Sequence, residues 1–178
     1  LNISYNRNNE LVEKTYQFIQ EFESKNQIKV QTSGSTGDKK NYTIPKSRFL
    51  HSSERTCDFF NLKEGDTSFL CISTDFIGGK MMVIRSLIRK LHLHIGSLSS
   101  FPFNEKLHID FAAFVPLQIK SIIEKDLDKL KRIKNIIIGG SALDAETEII
   151  LIQNKINAYV TFGMTETLSH IALRKVGE

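Results

Sequence analysis

Asn135 is followed by Ile136-Ile137-Ile138 without a polar break, and the run ends at Gly139-Gly140. A half-exposed strand alternates apolar and polar residues, whereas a continuously apolar strand is covered on both faces. Such a strand belongs in a mostly parallel sheet between helices, and the rest of the chain fits that pattern. Helical spacing predicts a helix from Glu10 to Phe22, with Leu11, Val12, Tyr16, Phe18, Ile19 and Phe22 apolar. Residues 28–33 and 41–45 read as two strands in a hairpin-like arrangement. Ser47 is placed to cap a helix reaching Phe60, with Pro45 just before it. Thr67–Ser73 reads as a buried strand, Gly78–Lys90 as a helix and Leu91–Ile95 as a half-exposed strand. A strand over Phe111–Val115 leads into a helix from Pro116 to Glu124. After Ile138 a helix begins at Asp144, with Glu146 and Glu148 in its first turns as the helix dipole favours, and Ala158–Thr161 is a further strand. The expected class is α/β, a mostly parallel β-sheet with helices on both faces, forming a single unit over residues 1–178. Ser97–Asn104 is a polar loop within it, and no internal repeat is evident.

In sheets of this kind ligands sit beyond the carboxyl ends of the strands. Gly139-Gly140-Ser141, Thr161-Phe162-Gly163 and the Val115-Pro116 turn all lie at predicted strand C-termini.

A second candidate site opens after Ile28-Lys29-Val30. The run Thr32-Ser33-Gly34-Ser35-Thr36-Gly37-Asp38-Lys39-Lys40 combines small hydroxyl residues, glycines and two lysines. Glycines let the backbone curl so that successive N–H groups face inward on an anion. Hydroxyls add neutral donors and a lysine adds a point charge, a chemistry suited to polyphosphate. The same composition also describes a flexible Ser/Gly linker. It is not a Walker loop, because no Ser/Thr directly follows the lysines.

Tyr159-Val160-Thr161-Phe162-Gly163-Met164-Thr165-Glu166-Thr167 again carries a β-prone run into a glycine turn with hydroxyls around a carboxylate. Phe162 offers a face for a purine, Thr165 a donor for a phosphate, and Glu166 an oxygen ligand for a hard cation such as Mg²⁺. A strand, a turn and an exposed Glu is also an ordinary structural sequence.

Together the two segments resemble the signatures of the adenylate-forming superfamily: acyl-CoA synthetases, nonribosomal-peptide adenylation domains and luciferases. Thr32–Gly37 matches the family's phosphate loop, and Phe162-Gly163-Met164-Thr165-Glu166 matches its Tyr-Gly-x-Thr-Glu motif with one aromatic exchange. Phe76-Ile77-Gly78-Gly79 resembles the aromatic gate and its glycine. Val115-Pro116-Leu117-Gln118 resembles the Val-Pro-Thr-Gln run before a pocket helix, and Gly139-Gly140-Ser141-Ala142-Leu143 the strand end beside adenine. Ile84-Arg85-Ser86-Leu87, Val115–Gln118 and Gly163–Thr167 make the likeness nearest to the o-succinylbenzoate–CoA ligases of menaquinone biosynthesis. The likeness covers residues 28–178. It departs at the loop's end, where Lys39-Lys40-Asn41 stands for Pro-Lys-Gly. Lys40 aligns with the family lysine, and Asn41 tolerates a left-handed backbone.

The resemblance implies a two-step ligase. A carboxylic acid attacks ATP to give an acyl-adenylate, and CoA then displaces AMP. It implies that Thr32, Ser33, Gly34, Ser35, Thr36, Gly37 and Lys40 grip the β- and γ-phosphates. Thr165 would hold the α-phosphate and Glu166 the Mg²⁺, with Lys40, Thr165 and Glu166 as the catalytic set. Gly139, Gly140, Ser141, Phe162, Gly163 and Met164 would frame the nucleotide, and Phe76, Gly79, Pro116 and Gln118 would border the acyl pocket. The family continues beyond its Thr-Glu motif with a ribose-binding aspartate, a hinge and a mobile lid carrying a lysine. The resemblance therefore implies that this chain, ending at Glu178, is part of the large N-terminal domain without the lid. Other readings are an aryl- or fatty-acyl-CoA ligase of the same superfamily and a non-enzymatic nucleotide-binding module.

Composition is compatible with these readings: 178 residues, 40% hydrophobic and 25% charged, suffice for one buried core. The net charge of +4 is modest and suits anionic small molecules. Lys125, Lys129, Lys131, Arg132 and Lys134 cluster, but no aromatics interleave them, so a solvated helix face is expected rather than a nucleic-acid surface. Two cysteines without a CxxC spacing, no membrane-length apolar run and a polar start lead to the expectation of a reduced cytoplasmic protein. His92 and His94 share a predicted strand face, either as two metal ligands or as its solvent-facing half. His170 either touches substrate or occupies an ordinary place on the next strand.

Overall fold

Ile137 packs into one hydrophobic core and its neighbours Ile136 and Ile138 into another, on the two faces of one sheet. The computed structural model describes residues 1–5, 9–31, 41–103 and 107–178. Its first half comprises β1 (Asn2–Tyr5), α1 (Glu10–Ser24), β2 (Gln27–Gln31), β3 (Asn41–Pro45), α2 (Lys46–Phe59), β4 (Thr67–Leu70) and α3 (Ile77–Arg89). There follow β5 (His92–Ile95), β6 (Ile109–Phe114), α4 (Pro116–Asp126), α5 (Asp128–Lys131), β7 (Ile133–Ile138), α6 (Ala145–Gln153), β8 (Ala158–Gly163) and β9 (His170–Lys175). A seven-stranded sheet runs β1-β5-β4-β6-β7-β8-β9, and β2 and β3 form a separate antiparallel pair. Every pairing in the large sheet is parallel except β8 with β9. The expected α/β architecture is therefore present.

Period-two alternation assigns the side chains to faces. Phe111, Ala113 and Ile137 join the core with Leu11, Phe18, Phe49, Met81 and Ile84 from α1, α2 and α3. Ala112, Phe114, Ile136 and Ile138 join the core with Ile119, Ile122, Leu130 and Leu151 from α4, α5 and α6. Each fully buried Ile or Phe contributes about 1.5–3 kcal/mol relative to exposure. Asp144 caps α6 as expected, its carboxylate accepting from the Thr147 N–H at 3.0 Å.

Several boundaries differ from expectation. Pro45, not Ser47, precedes α2, and no side chain caps the helix. The β2–β3 ladder continues to the Gln27–Pro45 pair, and the Lys46 N–H donates across it to the Asn26 carbonyl at 2.8 Å. That bond satisfies the first N–H of α2 without a cap. In α1, Thr15 rather than Tyr16 faces the core, its hydroxyl satisfied by the Leu11 carbonyl at 2.6 Å. β4 ends at Leu70 rather than Ser73, because its neighbour β5 ends at Ile95 and the chain there turns away.

The largest difference is β1, which the sequence pattern did not suggest. It pairs with β5 and makes that strand internal. His94 is consequently 6% exposed instead of solvent-facing, stacked on the Phe69 ring and in contact through Nδ1 with the Ser4 hydroxyl at 2.9 Å. His92 Nε2 meets the same hydroxyl at 2.7 Å. Among the described residues no group of three His, Cys, Asp or Glu side chains is arranged to hold a metal. Nor is any helix there long and apolar enough to cross a membrane. Of the lysine cluster, Lys125 lies over the Phe101 ring and Lys129 over Phe103, while Lys131 pairs with Asp128.

Candidate functional site

The C-terminal ends of β4, β6, β7 and β8 converge on a cavity of about 1380 Å³. Its deep surface is formed by Cys71, Ala113, Phe114 and Ile137, all buried. Its exposed margin carries Phe76, Leu98 and Leu117. Gly139, Gly140, Thr161 and the segment Gly163–Glu166 line it from the β7 and β8 ends, and Arg85, Ser169 and His170 line it from α3 and the start of β9.

Glycine is required where these elements meet. A Cβ on Gly139 would lie 2.3 Å from the Thr161 hydroxyl, so the Thr161 side chain occupies the space that a side chain at 139 would need. Gly140 has a φ of +93°, in the left-handed region that favours glycine. After β8 the chain turns through a compact loop. The Leu168 N–H donates to the Thr165 carbonyl at 2.9 Å, and the Thr167 hydroxyl donates to the Ser169 carbonyl at 2.8 Å. Leu168 is held at a φ of 73° by its burial in the core.

The predicted site residues divide into four groups. Phe76, Gln118, Gly139, Gly140, Gly163, Met164, Thr165 and Glu166 line the cavity. Ser141 and Phe162 are exposed, with Phe162 66% accessible near the end of β8. Gly79 and Pro116 are buried instead: a Cβ on Gly79 would lie 2.2 Å from the Ser73 carbonyl oxygen, and Pro116 opens α4. Thr32, Ser33, Gly34, Ser35, Thr36, Gly37 and Lys40 lie outside the described residues. The strand ends on either side of that segment are paired at Gln31 and Asn41, and Gln31 lines the cavity.

Over its whole length the fold can be set beside known proteins. It superposes with a TM-score of 0.87 on an acyl-CoA synthetase (AMP-forming)/AMP-acid ligase II-like protein from Dyadobacter fermentans, at 26% identity. That match covers 96% of this chain and 50% of the other. The chain shares the adenylate-forming fold. It also resembles o-succinylbenzoate–CoA synthetase from Bacillus subtilis in complex with ATP and magnesium ion, with a TM-score of 0.70 and 17% identity over 83% of this chain and 32% of that one. The same enzyme with the acyl-adenylate intermediate OSB-AMP gives a TM-score of 0.71 at 17% identity, covering 83% and 31%. The chain thus spans about half the length of the first of these structures and about a third of the others. No protein-family model and no curated protein sequence matches it.

Within the adenylate-forming fold, Gln118 has a structural task. Its Nε2 donates to the carbonyls of Cys71 at 3.1 Å and Ser99 at 3.2 Å, and its Oε1 accepts from the Val115 N–H at 3.1 Å. Both amide protons are engaged, so Gln118 shapes the cavity by tying three segments together. The loop before Phe76 is anchored to α1: Lys14 pairs with Asp75, and the Thr74 hydroxyl donates to the Lys14 carbonyl at 3.2 Å. Phe76 itself stays 55% exposed at the margin.

Arg85 was not among the candidate site residues. It is 2% exposed, yet among the described residues no carboxylate pairs with it. Nη2 donates to the Ser169 hydroxyl at 3.2 Å, the guanidinium lies 5.8 Å from the Phe111 ring centroid, and buried Nε has no partner among the described residues. Burial pushes its pKa down to about 10, so the cation persists at neutral pH. His170, half-buried beside it, is pushed down to about 4 by burial and by the Arg85 charge. A sequence signal for Arg85 existed: it is the one charged residue between Met81 and Ile88 in an otherwise mostly apolar helix. Ser169 carried no such signal.

Proposed function

We propose that this chain forms nucleotide- and acid-binding parts of an ATP-dependent acid–thiol ligase, and that its acid is o-succinylbenzoate, a step of menaquinone biosynthesis. One acid carboxylate attacks the α-phosphorus of ATP, pyrophosphate leaves and an acyl-adenylate forms. The CoA thiol then attacks the acyl carbonyl carbon, forming a thioester as AMP departs. The protein's part is to align these groups and meet the charge that develops on phosphate.

Arg85 is the observation that carries the choice of acid. A buried cation without a counter-charge is costly, and a ligand that brings an anion relieves that cost. An acid with a carboxylate to activate and a second one to pair with Arg85 meets this requirement; a fatty or simple aryl acid does not. The ATP, magnesium ion and OSB-AMP bound by the similar Bacillus subtilis enzyme support the same reading.

In this reading Thr32–Gly37 and Lys40 grip the β- and γ-phosphates, and Thr165 holds the α-phosphate. Gly139, Gly140, Ser141, Phe162, Gly163 and Met164 frame the nucleotide, and Phe76 borders the acid. Glu166 suits magnesium: its carboxylate is exposed at the cavity, enters no ion pair among the described residues, and offers the oxygen a hard cation prefers. Magnesium supplies charge neutralisation on the phosphates. Buried, unpaired Cys57 and Cys71 suit a reducing, cytoplasmic compartment.

The test uses two sulfamate-linked analogues of the acyl-adenylate, one built from o-succinylbenzoate and one from 3-benzoylpropionate, the same skeleton without its ring carboxylate. Calorimetry on the chain should show binding of both, with the diacid analogue about tenfold or more tighter, the worth of a charge-assisted hydrogen bond. Equal affinities would reject the assigned acid. Failure of both to bind would reject the nucleotide reading.

A further inference from the structure

Four side chains form a hydrogen-bonded line from α2 to the cavity. The Thr56 hydroxyl lies 3.2 Å from the Ser52 carbonyl, to which it can donate. With that bond made, His170 Nε2, 3.3 Å from the same hydroxyl oxygen, meets it as a donor. This arrangement calls for the imidazole proton on Nε2. In the neutral ring this leaves Nδ1 an acceptor, and the group beside it is the Ser169 hydroxyl at 3.5 Å. Ser169 gives its proton to Nδ1 and turns its lone pairs to Arg85, whose Nη2 donates to it at 3.2 Å. Arg85 keeps Nε unpaired within the cavity wall.

We propose that His170 is a positioning residue for anion recognition: with its tautomer set by Thr56, it fixes Ser169 as an acceptor and thereby orients the Arg85 guanidinium toward the second anionic group of a bound acid. This rests on the reading of Arg85 as the receptor of that group. The low proton affinity of His170 supports it, because a neutral ring leaves Arg85 as the cation of this line. A protonated ring would put N–H on Nδ1, and Ser169 would then face two donors. Its hydroxyl would turn, and the guanidinium would lose its fixed support. Because Thr56 is buried and does not line the cavity, its effect on a ligand must pass through His170.

The first test is the imidazole itself. Two-bond ¹⁵N–¹H correlation spectra of the wild-type chain at neutral pH should show His170 as the neutral Nε2–H tautomer; an Nδ1–H tautomer or a charged ring overturns the proposal. The second test uses the two sulfamate analogues and the ratio of their affinities in wild type, Arg85→Gln, His170→Phe and Thr56→Val. Arg85→Gln should bring the ratio to about one. His170→Phe and the nearly isosteric Thr56→Val should each reduce it about threefold or more, part of one hydrogen bond's worth. If Arg85→Gln abolishes the preference while His170→Phe and Thr56→Val both keep the wild-type ratio, His170 merely packs and this proposal falls alone. If Arg85→Gln leaves the ratio intact, the anion receptor itself is rejected and the proposal falls with it.

Discussion

The Gln118 side chain reaches from the first turn of α4 to the Cys71 carbonyl just beyond β4, 3.1 Å away, and so ties the ends of two neighbouring strands to one helix. Replacing it with leucine keeps the bulk but removes every polar partner. Gln118→Leu leaves the Cys71 carbonyl and the Val115 N–H without their side-chain partner, at a cost of about 2–4 kcal/mol. Urea denaturation should show a lower midpoint at unchanged slope. An unchanged midpoint would mean that water replaces the amide at no cost.

Two adjacent glycines should respond oppositely. A Cβ on Gly79 would strike the Ser73 carbonyl oxygen at 2.2 Å, whereas one on Gly78 would meet only Ile72 methyl groups, the nearest at 3.7 Å. Gly79→Ala should cost about 2 kcal/mol or more through forced separation of α3 from the 71–73 segment. Gly78→Ala should be neutral or stabilising by up to about 1 kcal/mol from helix propensity. Thermal melts of both variants check the sign as well as the size.

Arg85 sets stability against binding. Arg85→Met fills similar volume without a buried charge and should stabilise the unliganded chain by about 1–3 kcal/mol. The same variant should lose its preference for the diacid analogue. A destabilised variant would show that the Ser169 bond and the Phe111 contact outweigh the burial of the charge.

His170 makes stability depend on pH. Its folded pKa lies near 4, below the ordinary histidine value of 6.5, chiefly through burial and then through Arg85. Between these values the unfolded chain binds the proton and the folded chain does not, so stability falls as pH drops from about 6.5 to about 4. Allowing for the ring's partial solvent access, the loss is on the order of 2 kcal/mol. Denaturation midpoints at pH 7 and pH 4.5 should differ in wild type and converge in His170→Gln.

Glu166→Gln preserves size and a ligating oxygen but removes the negative charge. In an enzyme carrying this chain, adenylate formation should slow by about 10²–10³-fold with a raised magnesium requirement. Thioester formation from a pre-made acyl-adenylate should suffer less, because pyrophosphate has already left. Equal losses in both half-reactions, with unchanged magnesium dependence, would show that Glu166 only supports the loop.

Elements whose signals are local are legible in their own residues. Ile136–Ile138 announces a strand buried on both faces because water tolerates neither side of it. Asp144 marks a helix start because its carboxylate reaches an N–H three residues on, and the strand ends at Gly139 and Thr161 indicate where the cavity opens. Tertiary structure alone decided the rest, because the deciding partner is remote in sequence. His94 is buried because β1, some ninety residues earlier, closes over β5, and four polar-flanked residues do not advertise that pairing. Gln118 lines the cavity, but that Cys71 and Ser99 take both its amide protons is decided by the fold. Arg85 stands out in the sequence as a charge in an apolar run, but that it is buried with no carboxylate paired to it among the described residues is decided by the fold. His170 meets Thr56, which lies more than a hundred residues earlier on α2. Propensity and periodicity act over a few residues, whereas hydrogen-bond saturation and desolvation are set by whatever the fold brings alongside.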